Sequence, residues 1–319
     1  MPGRAHSHRA VLERLRLAEQ SGVPVLLAVV VSTAGSTYRK PGALVLVEAD
    51  GRQTGVISGG CLEAEFHAAA LRSLGVAAPA WMDVDSLDDA DLLFGTGSGC
   101  RGRSRILLWP LSPAAPEWAL LRGLLTPGAG CCWLEIDPLA AVPQPRWHAQ
   151  PPDEQDAGRL LLTLHPPPRI WIVGAGPELS PLLSWLRQAG WCCVVSEHRQ
   201  AWREAQDLTL ADRVCPQRPT VLAAEVLPVT ALLCLSHSAE IDLAALRMAA
   251  AQAPAQIAAI GLLGPPRRRD ELLAQLGPDA VAALQPRLVA PVGLPLGGEG
   301  PLAIALAIAA WLQQRFQVR

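Results

Sequence analysis

The chain is almost without lysine and tyrosine: one of each occurs in 319 residues, Lys40 and Tyr38, both in the short stretch STYRKPG. No basic block exceeds RRR at Arg267–Arg269, and the formal net charge is -2. A dense basic face, which nucleic-acid binding needs, is therefore not expected. None of the eight cysteines (61, 100, 131, 132, 192, 193, 215, 234) forms a C-x-x-C, which excludes zinc-knuckle and thioredoxin-type motifs. No apolar run reaches the roughly 18 residues of a membrane span. The opening MPGRAHSHRAVLERLRLAEQSG lacks the apolar core of a secretory signal. The expectation is a cytoplasmic protein with neither nucleic-acid nor membrane partner.

What is present is a large apolar fraction, 50%, against 18% charged residues. That composition buries a core and argues against disorder, and the length suits two domains. AVLERLRLAEQSG reads as a glycine-ended helix and VPVLLAVVV as a buried strand. ALVLVE, a DG turn and QTGVIS read as a hairpin, and CLEAEFHAAALRSLG as a helix. A helix is expected near Pro116–Leu125 and strands at CCWLEID and Arg159–Leu164, with PLAAVPQPRWHAQPPDEQDAGR between those strands as an exposed loop. The HPPP that follows is a stiff connector, so the domains are placed at 1–165 and 166–319. The second half alternates strand and helix from RIWIVGAG to QIAAIGLLG, the rhythm of a parallel sheet covered on both faces, and PLAIALAIAAWLQQRF is its closing helix. The fold class is α/β: a mixed α+β N-terminal domain followed by a Rossmann-like one.

Three glycine-bearing loops in the first half carry the chemistry. In ISGGCLEAEF, Gly59 and Gly60 allow close backbone approach, Ser58 and Glu63 flank them, and Cys61 falls near a helix N-terminus, which favours thiolate. In GTGSGCRGR, Gly99 and Cys100 stand beside Arg101 and Arg103, forked donors for phosphate. In AGSTYRKPG, Ser36 and Thr37 supply hydroxyls and Arg39 and Lys40 supply charge. Each loop alone reads equally as a turn; together they could converge on one polyanionic ligand. The remaining six cysteines read as buried thiols. In the second half, Gly174 and Gly176 of IVGAGP precede a helix, and Glu197, about twenty residues further on, could bond a ribose hydroxyl. A nucleotide is the second ligand class, although Leu179 replaces the third glycine and Pro177 removes an N–H. A tight turn explains the glycines as well.

GSTYRKPGALVLV, GVISGGCLEAEF and GSGCRG, followed in order by PPPRIWIVGAGPELSPLL, GWCCVVSEHR, TALLCLSHSAEIDLAAL and IGLLGPPRRRDELLAQL, resemble the XdhC/CoxI family over nearly the whole chain. The resemblance implies a xanthine dehydrogenase accessory factor. Such a factor binds molybdenum cofactor (molybdopterin), protects it while a cysteine desulfurase adds the sulfido ligand, and delivers it to a xanthine dehydrogenase-type molybdenum hydroxylase. By motif position, the resemblance assigns cofactor or molybdenum contact to Cys61 and Cys100. The chain departs from the family pattern at Tyr38 (proline), Arg101 (glycine), Pro177 (histidine) and Gly264 (serine), and after Pro301, where acidic residues are expected. Two rival readings follow from the residues. One is an NAD(P)-dependent oxidoreductase using the GAG turn, Glu197 and His237 as acid; the other is a thiol sulfurtransferase. A homodimer is compatible with the apolar composition.

Overall fold

The computed structural model describes residues 7–60, 62–85, 102–153, 156 and 158–316. The chain divides into two compact units, Met1–Pro166 and Pro167–Val318.

In the first unit, helix α1 (His8–Ser21) begins where the Ser7 hydroxyl accepts from Ala10 N at 3.3 Å. It ends at Gly22, whose left-handed backbone (φ 64°) turns its N–H onto the Ala18 and Glu19 carbonyls. Val11, Leu12, Leu15 and Ala18 form its buried stripe. Strands β1 (Val25–Gly35), β2 (Leu44–Glu48), β3 (Gln53–Thr54), β4 (Ala80–Asp85) and β5 (Gly102–Leu111) make an antiparallel sheet ordered β3-β2-β1-β5-β4, and α2 spans Glu63–Val76. The central β1 is buried on both faces. Val25, Leu27, Val29 and Val31 pack with α1, whereas Leu26, Ala28 and Val30 pack with Phe66 and Ala70 of α2. Each valine, leucine and phenylalanine among them contributes roughly 1.5–3 kcal/mol through burial, the alanines less.

Helix α3 (Glu117–Gly123) and strands β6 (Cys132–Ile136), β7 (Arg146–His148) and β8 (Leu160–Leu164) complete the unit. The strands form a sheet ordered β7-β6-β8 that extends the α1 core through Leu134, Ile136 and Leu164. Strand β7 corrects the expectation of an uninterrupted exposed loop. Three residues between prolines carry too little pattern to announce a strand, yet Trp147 stacks on Trp109 (5.7 Å, 16°) and pins the segment to β6.

The second unit contains β9 (Arg169–Val173), α4 (Leu179–Gln188), β10 (Cys192–Ser196), α5 (Gln200–Glu204), β11 (Arg213–Cys215), α6 (Pro219–Val226) and β12 (Val229–Cys234). It continues with α7 (Ala239–Ala250), β13 (Ile257–Leu262), α8 (Pro266–Leu273), α9 (Pro278–Leu284), β14 (Leu288–Val289) and α10 (Gly300–Phe316). All six strands are parallel and ordered β11-β10-β9-β12-β13-β14. Counted within the unit this is 3-2-1-4-5-6, the doubly wound dinucleotide-fold order. Ile170 and Ile172 face α4 and α10, while Trp171 and Val173 face α6 and α7. Among the described residues no helix is long and apolar enough to cross a membrane.

Candidate functional site

In the first unit, β1 runs out at Gly35 into the STYRKPG loop. The loop's base is tied by Val30 N to Ala43 O (3.0 Å) and Gly42 N to Val30 O (2.9 Å). Thr37 Oγ1 donates to the Arg39 carbonyl at 3.0 Å and accepts from Lys40 Nζ at 3.3 Å, so this hydroxyl and this ammonium hold the loop's shape. Ser36 and Tyr38 are exposed.

The SGG loop is built around Glu63, the first residue of α2. Its Oε1 accepts from Ile57 N (3.2 Å), Ser58 N (3.0 Å) and Ser58 Oγ (3.3 Å), and its Oε2 from Gln53 Nε2 (2.8 Å). Ser58 Oγ in turn accepts from Gly60 N (3.1 Å) and Leu62 N (3.2 Å). Ser58 and Glu63 therefore work inside the loop. They fix Gly59 and Gly60, both exposed, from within the loop.

The loops meet. A Cβ on Gly59 would lie 3.9 Å from Tyr38 Cδ2 and 4.0 Å from Cε2, so the Tyr38 ring lies beside the SGG backbone. Gly102, which opens β5, pairs with Gly35, and a Cβ there would stand 2.7 Å from Thr37 Cγ2 and 2.8 Å from the Ser36 carbonyl carbon. Only glycine permits that approach. Ser36, Arg39, Gly59, Gly60, Ser58 and Glu63 are thus gathered at one end of the first sheet, with Gly102 against Ser36. Cys61, Gly99, Cys100 and Arg101 lie outside the described residues.

Arg39 is half-buried; its Nε is buried without a hydrogen-bond partner among the described residues, and burial lowers the guanidinium pKa. His8 Nε2 is likewise buried and has no partner among the described residues. Burial, then the charges of Arg39 and His165, push the His8 pKa down to about 4, so it is neutral near pH 7. Neither signal was legible locally, because the fold brings His8 in from α1. Arg103, expected to serve an anion, instead pairs with Asp85 at 2.7 Å, and Arg105 pairs with Asp83 at 3.3 Å while lying 4.6 Å over the Trp81 ring.

The six described cysteines are free thiols. Cys132, Cys193, Cys215 and Cys234 are buried as expected; Cys131 and Cys192 are half-exposed, which corrects that reading for them. Cys131 Sγ lies 3.2 Å from His165 Nδ1 because β6 and β8 pair side by side. Burial pushes the Cys131 thiol up, Cys132 up to about 12 with Cys131 adding to it, and Cys215 and Cys234 up as well. None of these four is activated as a thiolate.

In the second unit the GAG turn follows β9. Gly174 has φ 107°. A Cβ on Gly176 would stand 2.6 Å from His237 Nε2 and 2.7 Å from Glu178 Oε2, so the hollow over this glycine already holds two side chains. Glu197 is buried, with its carboxylate bound by Arg199 N (2.9 Å), Nε (2.8 Å) and Nη2 (2.6 Å) and by Ala175 N (3.1 Å). Burial alone raises the pKa of this carboxyl; the hydrogen bonds and charge of Arg199, with His198, outweigh it and hold it below the usual range. The expected ribose partner is therefore occupied by the protein itself. Glu178 had no local signal, since its partner His237 arrives from the end of β12.

Residues 18–85, which include two of the converging loops and α2, match the model of the XdhC and CoxI family, and residues 170–312 match the XdhC Rossmann domain. The chain belongs to the XdhC and CoxI family. Among relatives, a Bacillus subtilis (strain 168) protein named as a probable xanthine dehydrogenase subunit is 27% identical over 314 residues, covering 91% of this chain and 92% of that protein. The Escherichia coli (strain K12) molybdenum cofactor insertion chaperone PaoD is 32% identical over 124 residues, 37% of this chain and 36% of that protein. A crystal structure described as a xanthine dehydrogenase from Bacillus halodurans superposes with a TM-score of 0.78 at 25% identity, covering 97% of this chain and 96% of the other. The XdhC-type architecture is thus shared by both units.

Proposed function

We propose that this protein binds molybdenum cofactor as its cargo and hands it to a xanthine dehydrogenase-type molybdenum hydroxylase. The observation that carries this is the meeting of the STYRKPG loop, the SGG loop and the start of β5 at one end of the first sheet. These are the described flanks of positions 61 and 100. The residues present fit such a cargo: Arg39 carries a guanidinium, the donor type a pterin's phosphate takes, whose buried Nε has no hydrogen-bond partner among the described residues, and the bare backbone of Gly59 lies beside the Tyr38 ring. The cofactor supplies a soft, thiophilic metal–dithiolene centre. In this reading Cys61 and Cys100 serve that end, since four of the described thiols are held protonated by burial. The chain's own residues orient the cargo: Glu63 and Ser58 fix the SGG backbone, and Thr37 fixes the carbonyl of Arg39. The names of the relatives support the same cargo and client class. Holding the cofactor while a cysteine desulfurase adds sulfur, and acting as a homodimer in the cytoplasm, are the finer parts of the proposal.

The test is to mix the purified protein with released cofactor and separate the mixture by gel filtration. The parent co-elutes with pterin fluorescence after oxidation, while Cys61→Ala and Cys100→Ala lose most of it. Variants that retain cofactor like the parent overturn the assignment of the cysteines. A parent that carries none overturns the cargo.

A further inference from the structure

A dinucleotide on the second unit would meet three places, and at each of them the chain's own groups oppose it separately. The first is the crevice where the strand order reverses, between the ends of β9 and β12. There a Cβ on Gly174 would lie 2.5 Å from the Leu235 carbonyl oxygen, and Leu235 N donates to Val173 O at 2.8 Å. This glycine serves the contact between two strand ends.

The second place is the hollow over Gly176, where bare backbone should meet pyrophosphate. Glu178 is 1% exposed and does not cap α4. Its carboxylate instead folds back over Gly176 and meets His237 Nε2 at 3.3 Å. His237 adopts a left-handed backbone, φ 56°, that side chains with a Cβ rarely take. Three of the turn's backbone donors are also engaged. Gly174 N donates to Ser196 O (2.9 Å), Ala175 N to Glu197 Oε2 (3.1 Å) and Leu179 N to Gly176 O (3.0 Å), and Pro177 has no N–H. A diphosphate entering here would meet the buried Glu178 carboxylate, and like charges at such range repel.

The third place is the ribose acid. Glu197 is held by the Arg199 fork, and Arg199 also donates to Ser236 O at 2.9 Å and lies 4.0 Å over the Trp202 ring. The acid, its arginine and the β12 exit thus form one closed network.

We infer that the second unit is a dinucleotide-type sheet that takes no NAD(P), because Glu178 with His237 occupies the pyrophosphate's place and Arg199 occupies the acid a ribose would use. Its own carboxylate is a built-in substitute for the phosphate.

The full chain is titrated with NADH and followed by nicotinamide fluorescence, alongside Glu178→Ala and Glu178→Ala/His237→Gly. Glycine suits the left-handed backbone at 237, and all three proteins are checked for the same far-UV circular dichroism. The parent gives no saturable signal up to about 1 mM, and the double variant binds at least about tenfold more tightly than the parent. A parent that saturates one-to-one with a Kd of about 100 µM or below overturns the inference. A double variant that is folded and as silent as the parent overturns the role given to Glu178 and His237.

Discussion

Removing the Glu63 carboxylate tests how the SGG loop is held. Glu63→Ala deletes four hydrogen bonds, two of them from the backbone N–H groups of Ile57 and Ser58. Both residues are buried, at 6% and 7% exposure, so those donors lose their acceptor in a place water reaches poorly. A stranded buried donor costs about 1–3 kcal/mol, and the loss of the charged acceptor brings the expected total to about 3 kcal/mol. For a unit of this size that lowers the Tm of its transition by roughly 6–12 °C. Glu63→Gln keeps an acceptor for the two N–H groups and costs about 1 kcal/mol. Calorimetry on the full chain reads the Tm, and hydrogen exchange at Ile57 and Ser58 reads the loop directly. The alanine variant should exchange there at least about tenfold faster, the factor that 1.4 kcal/mol of local stability represents. A Glu63→Ala protein within about 1 °C of the parent, with unchanged protection at 57 and 58, would refute the claim that this carboxylate organises the loop.

Two further outcomes are expected. Gly102→Ala drives a methyl into Ser36 and Thr37; it should destabilise the first unit by about 1–3 kcal/mol and weaken cofactor retention on gel filtration, whereas retention at the parent level would show that the loop junction does not shape the site. Because the His8 pKa falls from 6.5 to about 4 on folding, the unfolded chain takes up the proton first. Stability of the first unit is then full above pH 6.5 and falls by up to about 1.4 kcal/mol per pH unit towards pH 4; urea unfolding of the parent and His8→Gln at pH 7.5 and 5 checks this, the variant losing that slope.

Much of the architecture was legible because periodicity and punctuation agreed. Gly22 ends α1 as its position announced, β1 reads as one uninterrupted apolar run because both faces are covered, and the second half's alternation gives a parallel sheet. Short elements escaped: β7 lies between prolines, and β14 pairs only Leu288 and Val289 with β13. The loops that form the site were readable as glycine-bearing segments, but the work of their polar residues was not. Glu63 carries the helix-start signal of any first-turn acid, and only the fold shows that it clips Ile57 and Ser58. Arg103 looks like an anion donor until β4 sets Asp85 beside it. The GAG motif announces the turn, but not that Glu178 and His237 come together over it from positions 59 residues apart.

The double-faced burial of β1 has a thermodynamic consequence. Its odd and even residues anchor separate hydrocarbon layers, so neither layer can melt while the other stays intact, and the first unit should unfold as one cooperative block. The STYRKPG segment is the direct continuation of that strand. Any guest gripped there at a hundred times its Kd would therefore raise the stability of the whole block by about 2.7 kcal/mol, a thermal shift visible far from the point of contact.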